Sequence, residues 1–172
     1  MNETLLTLKN RCSAKSYLPT QVEDGLLDQI LEAGLYAPSG MNGQKVYCVA
    51  VRDQETRDLL SKLNAGIMGF DKDPFYGAPC VIVVLADPEH RTWVEDGSLV
   101  LGNMLNAAYS LGLGCCWIHR AKEVFDLPEG KALLRKWGLP EHFRGVGNCI
   151  LGYPATEPVR KPRLEGRILK ID

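Results

Sequence analysis

The chain has 172 residues, 45% of them apolar and 24% charged, which is enough for one domain with a sizeable core. Its formal net charge of −1 supplies no overall field for nucleic acid or an anionic membrane, and no apolar run approaches the ~18 residues of a membrane span. The opening MNETLLTLKN is too short and too polar for a signal sequence, so a cytoplasmic protein without nucleic-acid or membrane partners is expected.

In chain order, a first helix is expected over much of residues 3–10 and a second from about Glu23 to Ala37, with Leu26, Leu27, Ile30, Leu31 and Leu35 at helical spacing. Pro38 disfavours helical geometry at the residue before it. KVYCVAV then reads as a strand. DQETRDLLSKLNAG reads as a helix with Asp53 as N-cap and Gly66 near its end. PCVIVVLAD is a continuous apolar run, as in a strand covered on both faces. A long helix follows, roughly Trp93 to Leu111, apolar on most sides and so expected to be buried all round, at the domain centre or in a subunit interface. GLGCCWIH supplies a turn and a strand. PEGKALLRKWG is a helix opened by Pro128 and closed by Gly138, and RGVGNCILGYP is a last strand. Residues 153–172 carry three prolines and many charges and cannot form a core of their own; they are disordered or packed on something else, such as a second subunit.

Cys12, Cys48, Cys80, Cys115, Cys116 and Cys149 show no Cys-x-x-Cys spacing, and the three histidines are scattered. Reduced thiols are expected rather than a zinc site or disulfides. No Gly-x-Gly-x-x-Gly follows the first strand and no P-loop lysine motif is present, which disfavours the usual nucleotide sites.

Two stretches carry chemistry. In RCSAKSY, Arg11, Ser13 and Lys15 alternate, so an extended backbone points all three the same way, as an anion such as a phosphate requires; a solvated basic turn gives the same pattern. RKPR, with Lys161 and Arg163, is a second basic group near the other end. APSGMNGQ interrupts a simple helix-to-strand turn with Ser39, Asn42 and Gln44, whose hydroxyl and amides suit a heteroaromatic ring. Gly40 and Gly43 there would let backbone approach a flat ligand, although ordinary helix-capping explains the same residues.

The order RCSAKSY, ILEAGLYAPSGMNGQ before a strand, GAPCVIVV, AAYSLGLGCCWI, LGYP and KPR resembles the FMN-dependent nitroreductase family over nearly the whole chain. The resemblance implies one α+β domain spanning residues 1–172, with a central mixed or antiparallel sheet flanked by helices. It also implies a C-terminal extension (153–172) reaching across a homodimer, and FMN at the subunit interface. Arg11 and Ser13 would then bind the phosphate, with Cys12 between them, and Lys15 would reach the pyrimidine edge. Pro38, Ser39, Gly40 and Asn42 from the other subunit would line the ring and ribityl chain, with Gln44 behind them. Lys161 and Arg163 would close over the phosphate, and backbone at Ile118 and His119 would approach the reactive edge.

Cys12 and Lys15 stand where many members carry other polar residues or arginine, and the compact NAGIMGFDKDPFYG segment implies an open or unusually shaped cleft. Met68, Phe70, Phe75 and Tyr76 are candidates for its wall or for ordinary packing. His119 is a candidate proton donor, while the acids Glu95 and Asp96 favour the start of the long helix and are given no chemistry. The implied activity is an FMN-dependent oxidoreductase that takes hydride from NADH or NADPH and reduces a nitroaromatic or quinone-type acceptor by ping-pong kinetics. Dehydrogenation or dehalogenation of a metabolite, and flavin binding without turnover, are the alternatives.

Overall fold

The computed structural model describes residues 1–69 and 71–171; Phe70, a candidate for the cleft wall, lies outside the described residues. Among the described residues four strands, β1 (Val46–Val51), β2 (Cys80–Ala86), β3 (Gly114–Ile118) and β4 (Arg144–Gly152), form one sheet in the order β1-β2-β4-β3. Every pairing is antiparallel, so the sheet is antiparallel rather than mixed.

The helices are α1 (Glu3–Asn10), α2 (Asp24–Leu35), α3 (Gln54–Met68), α4 (Trp93–Ser110), α5 (Ala121–Asp126) and α6 (Pro128–Lys136). They cover the sheet on both sides. Alternate residues of the fully buried strand β2 serve different cores: Cys80, Ile82 and Val84 meet Leu27 and Ile30 of α2 and Leu101 and Met104 of α4. Val81, Val83 and Leu85 meet Leu60 of α3, Phe125 of α5 and Leu134 of α6. The β-branched run in β2 suits such a pleated, doubly covered position.

Helix ends follow local chemistry. Asp53 caps α3 by accepting from Thr56 N at 2.9 Å. That helix runs past Gly66 and stops at Gly69, whose φ of +72° is the left-handed geometry that glycine adopts at no steric cost. Helix α2 ends two residues before the expected Ala37. Its last turn closes when Tyr36 N donates to Glu32 O, and the restriction imposed by Pro38 keeps the next residue out of the helix. Helix α5 leaves no readable signal in the sequence, because six residues carry too little periodicity.

Within one chain, helix α4 is not buried all round. Asp96, Gly97, Val100, Leu101, Met104 and Ala108 turn inward, whereas Leu99 is 46% exposed. An open groove of about 880 Å³ separates this outer face from α1 and is lined by Leu6, Leu8, Asn103, Asn106, Ala107 and Tyr109. Helix α1 itself buries no residue.

Candidate functional site

The segment after α1 runs extended along the β3 edge. Ala14 N donates to Cys115 O at 3.0 Å, Leu18 N to Tyr153 O at 2.8 Å, and Ala155 N to Ser16 O at 3.0 Å. The alternation expected from the sequence is present: Ala14 is fully buried, and Ser13 and Lys15 on either side of it are exposed. The guanidinium of Arg11 lies beside the Cys115 thiol. Cys12 turns its thiol to the tail and donates to Pro158 O at 3.4 Å.

The tail is anchored here as well. Arg160 donates to Lys9 O at 3.0 Å and to Asn10 Oδ1 at 2.6 Å. The two ends of the chain therefore meet, and Lys161 and Arg163, both exposed, follow directly on this anchor. A cavity of about 690 Å³ opens between Asn10, Cys12, Tyr109, Pro158 and Arg160; of the expected binding residues it touches Cys12 alone.

The second set sits elsewhere. Residues 38–44 precede β1, at the opposite edge of the sheet from β3. Two strands, β2 and β4, lie between the edges, which at ~4.8 Å per spacing puts the two sets roughly 14 Å apart or more. The loop is a tight 3-10 turn, Gly40–Asn42, held by its own side chains: Gln44 N donates to Ser39 Oγ at 3.1 Å, and Gln44 Nε2 to Asn42 Oδ1 at 3.1 Å. Met41, Asn42 and Gln44 have φ of 51°, 54° and 51°. Non-glycine residues in this region carry strain and persist only where the surroundings impose them. Pro38, Asn42 and Gln44 are exposed, and Ser39 is half-buried.

Gly40 and Gly43 have a packing role that the sequence does not show. A Cβ on Gly40 would clash with Thr92 Oγ1, and one on Gly43 would stand 2.6 Å from His90 Cε1. Both glycines are small so that the loop can lie on the start of α4.

The loop is tied down by an acid whose place in the sequence points only to a helix dipole. Asp96, 3% exposed, accepts from Gly40 N through Oδ1 at 3.0 Å. Its Oδ2 stands 3.3 Å from His90 Nε2 without the alignment of a hydrogen bond. The signal that could have marked it is an acid placed inside the helix's apolar stripe, beyond the positions that serve the dipole. A recess of about 120 Å³ lies under the loop, lined by Ser39, Gln44, Asp96 and apolar neighbours. Neither this recess nor the larger cavity contains residues of both sets.

At the end of β3, Ile118 is buried and His119 exposed. Their carbonyls are already engaged: Asn148 Nδ2 reaches Ile118 O at 3.5 Å, and Asn64 Nδ2 donates to His119 O at 2.8 Å. Cys115 and Cys116 are both free, and their thiols donate to Leu105 O and Trp117 O respectively. Burial pushes the Cys115 thiol up to about 12, against the nearby Arg11 charge. It therefore stays protonated, which argues against a reactive thiolate.

The segment before β2 separates into core and surface. Phe75 is fully buried, and Tyr76 is 40% exposed with Lys15 Nζ 5.7 Å from its ring centroid. Among the described residues no group of three or more His, Cys, Asp or Glu could hold a metal ion, and no helix is long and apolar enough to cross a membrane.

A profile of the nitroreductase family matches residues 8–69 and 66–153. A relative from Archaeoglobus fulgidus with a provisional NADH dehydrogenase/NAD(P)H nitroreductase designation is 34% identical over 91% of this chain and 88% of its own length. The FMN reductase [NAD(P)H] of Bacillus subtilis is 30% identical over 95% of this chain and 71% of its own. The crystal structure of a Bacteroides fragilis nitroreductase with bound FMN superposes with a TM-score of 0.92 at 30% identity, each chain covered in full. The antiparallel sheet between two helical layers and the Arg11–Lys15 and Pro38–Gln44 segments at its two edges thus occur in a chain that belongs to the nitroreductase family.

Proposed function

We propose that two copies of this chain bind FMN between them and act as an NAD(P)H oxidoreductase. The observation that carries this reading is the separation of the two residue sets on opposite edges of one sheet. Neither set is a complete site. Arg11, Ser13 and Lys15, with Lys161 and Arg163 beyond the anchored tail, offer the cationic donors that a phosphate requires. Pro38, Ser39, Gly40, Asn42 and Gln44 offer the short polar groups on a rigid loop that a flavin ring requires. Cys12, Ile118 and His119 contribute through the backbone, since the Cys12 thiol is committed to the tail and Ile118 is buried. A second copy brings the edge loop of one chain to the basic segment of the other. The residue types therefore fit FMN, provided that the protein is a homodimer.

When bound, FMN supplies the two-electron chemistry, taking hydride from NADH or NADPH and passing it to a small electron-poor acceptor such as a nitroaromatic or quinone. The chain's own work is to hold the phosphate, to fix the ring against a rigid loop, and to keep a positive charge, Lys15, at the ring edge where reduction adds negative charge. One shared cleft requires the nicotinamide to leave before the acceptor enters, which predicts ping-pong kinetics. His119 is a surface proton source at most, because water reaches the same exposed strand end. The FMN-containing relative and the NAD(P)H-dependent reductases among the similar proteins support the reading.

The test is direct. Purified protein should show a flavin absorption spectrum that NADH or NADPH bleaches without oxygen and that a nitroaromatic or quinone restores. A colourless protein that cannot be reconstituted with FMN overturns the proposal. Bleaching that no nitro compound or quinone reverses confines it to another class of acceptor.

A further inference from the structure

Tyr76 has a conformation that its own side chain opposes. Its φ is 53°, in the left-handed region where a bulky residue is a genuine outlier. The strain is imposed by a hub beneath it. Asp73 accepts from Phe75 N and Gly77 N, both at 2.8 Å, and from Ser61 Oγ at 2.6 Å. Arg57, 6% exposed, donates to the same carboxylate at 2.5 Å and to Ala78 O at 3.0 Å, with its guanidinium 5.4 Å from the Phe75 ring centroid. Helix α3, through Arg57 and Ser61, thus fixes a turn whose outcome is one exposed aromatic ring. That ring carries the ammonium of Lys15, 5.7 Å from its centroid, although Lys15 belongs to the extended segment along β3 and has no salt bridge among the described residues.

A glycine at position 76 would adopt this φ without steric strain. Strain kept at a surface position points to a use for the side chain. We infer that Tyr76 is a positioning residue for Lys15: its ring face fixes the ammonium at the flavin edge, and the Asp73 turn exists to present that face. This rests on the reading of Lys15 as a flavin contact. A cation held over an aromatic face loses the freedom of its four-carbon stem while keeping its charge for a second partner.

Sulfite provides the probe, because it adds reversibly to oxidised flavin and leaves negative charge on the ring, so its affinity reports the positive charge nearby. The comparison uses FMN-loaded wild type, Tyr76→Phe, Tyr76→Gly, Lys15→Met and the Tyr76→Gly/Lys15→Met double variant, with a melting temperature for each. Lys15→Met should weaken sulfite binding. Tyr76→Phe keeps the ring face and should stay within about twofold of wild type. Tyr76→Gly should weaken sulfite binding by at least about threefold, yet melt at the same temperature as wild type or higher, since glycine relieves the turn. In the double variant the loss should be that of Lys15→Met alone.

A Tyr76→Gly protein with wild-type sulfite affinity overturns the inference while Lys15→Met still shows its effect. Tyr76→Phe behaving like Tyr76→Gly overturns it too, since the hydroxyl rather than the ring face would then matter. A null result for Lys15→Met removes Lys15 from the flavin and the inference with it. A second readout needs no cofactor: the ring-current shift of the Lys15 side-chain protons in the apo protein should persist in Tyr76→Phe and vanish in Tyr76→Gly. Its absence from wild type also overturns the inference.

Discussion

A carboxylate with 3% exposure ordinarily brings a full counter-charge with it; Asp96 has instead one backbone N–H and the edge of a histidine. The cost of burying it is tolerable because it restrains a loop that would otherwise relax. Three non-glycine residues there hold positive φ, at about 1–3 kcal/mol each. Asp96→Ala leaves Gly40 N without its acceptor and frees the turn. FMN affinity should then fall roughly tenfold to a hundredfold, the equivalent of losing a charged hydrogen bond worth about 1.5–3 kcal/mol. Asp96→Asn keeps an acceptor at the same place and should recover most of the affinity. Titration of apo protein with FMN, followed by flavin fluorescence, checks both; unchanged affinity in Asp96→Ala would detach this loop from the cofactor. Arg11→Ala should cost a similar factor for a different reason, a phosphate left without one of its cations. The same titration then shows affinity falling while the melting temperature changes little, because Arg11 makes no salt bridge among the described residues.

At the scale of elements, the turn before β2 depends on α3. Burial works against the Asp73 carboxylate, but the Arg57 and Ser61 side chains and the Gly77 and Phe75 N–H groups outweigh it and hold its pKa below the usual range. A depressed pKa contributes stability that is present above the unfolded value, near 4, and is lost as pH falls through the folded one. Asp73→Asn should therefore destabilise the protein by about 1–3 kcal/mol at neutral pH, and the two proteins should converge in stability below about pH 4. Denaturant titrations at several pH values test this; a difference independent of pH would mean that the side-chain charge plays no part. This turn also marks the limit of what the sequence discloses. The strands, the caps at Asp53 and Gly138 and the basic alternation around Ala14 are readable because each is decided by neighbours along the chain. The Arg57–Asp73 contact and the packing of Gly40 and Gly43 on Thr92 and His90 join distant segments, and no local pattern announces them. Local pattern alone therefore shows neither the packing of these glycines on the start of α4 nor the bond from Gly40 N to Asp96.

For the whole molecule, the decisive geometry is what one chain leaves unfinished. The outer face of α4 carries Leu99 at 46% exposure, α1 buries nothing, and Val159, Leu164, Ile168, Leu169 and Ile171 of the tail are between 71% and 91% exposed. Apolar surface on this scale calls for a partner. A second copy related by two-fold symmetry uses one such face twice and at the same time brings each edge loop to the other chain's basic segment. The protein should therefore sediment at twice the 19.0 kDa chain mass. Leu99→Lys separates assembly from folding. The side chain lies outside the protomer core, so the change should leave a single chain's stability within about 0.5 kcal/mol, while a lysine buried in a dimer interface would be left without a counter-charge. The expected product is a folded monomer, with native circular dichroism, that no longer retains FMN. A Leu99→Lys protein that remains dimeric and yellow would remove the α4 face from the interface. A monomer that binds FMN as tightly as wild type would show that one chain completes the site alone, and that its two edges need no second copy.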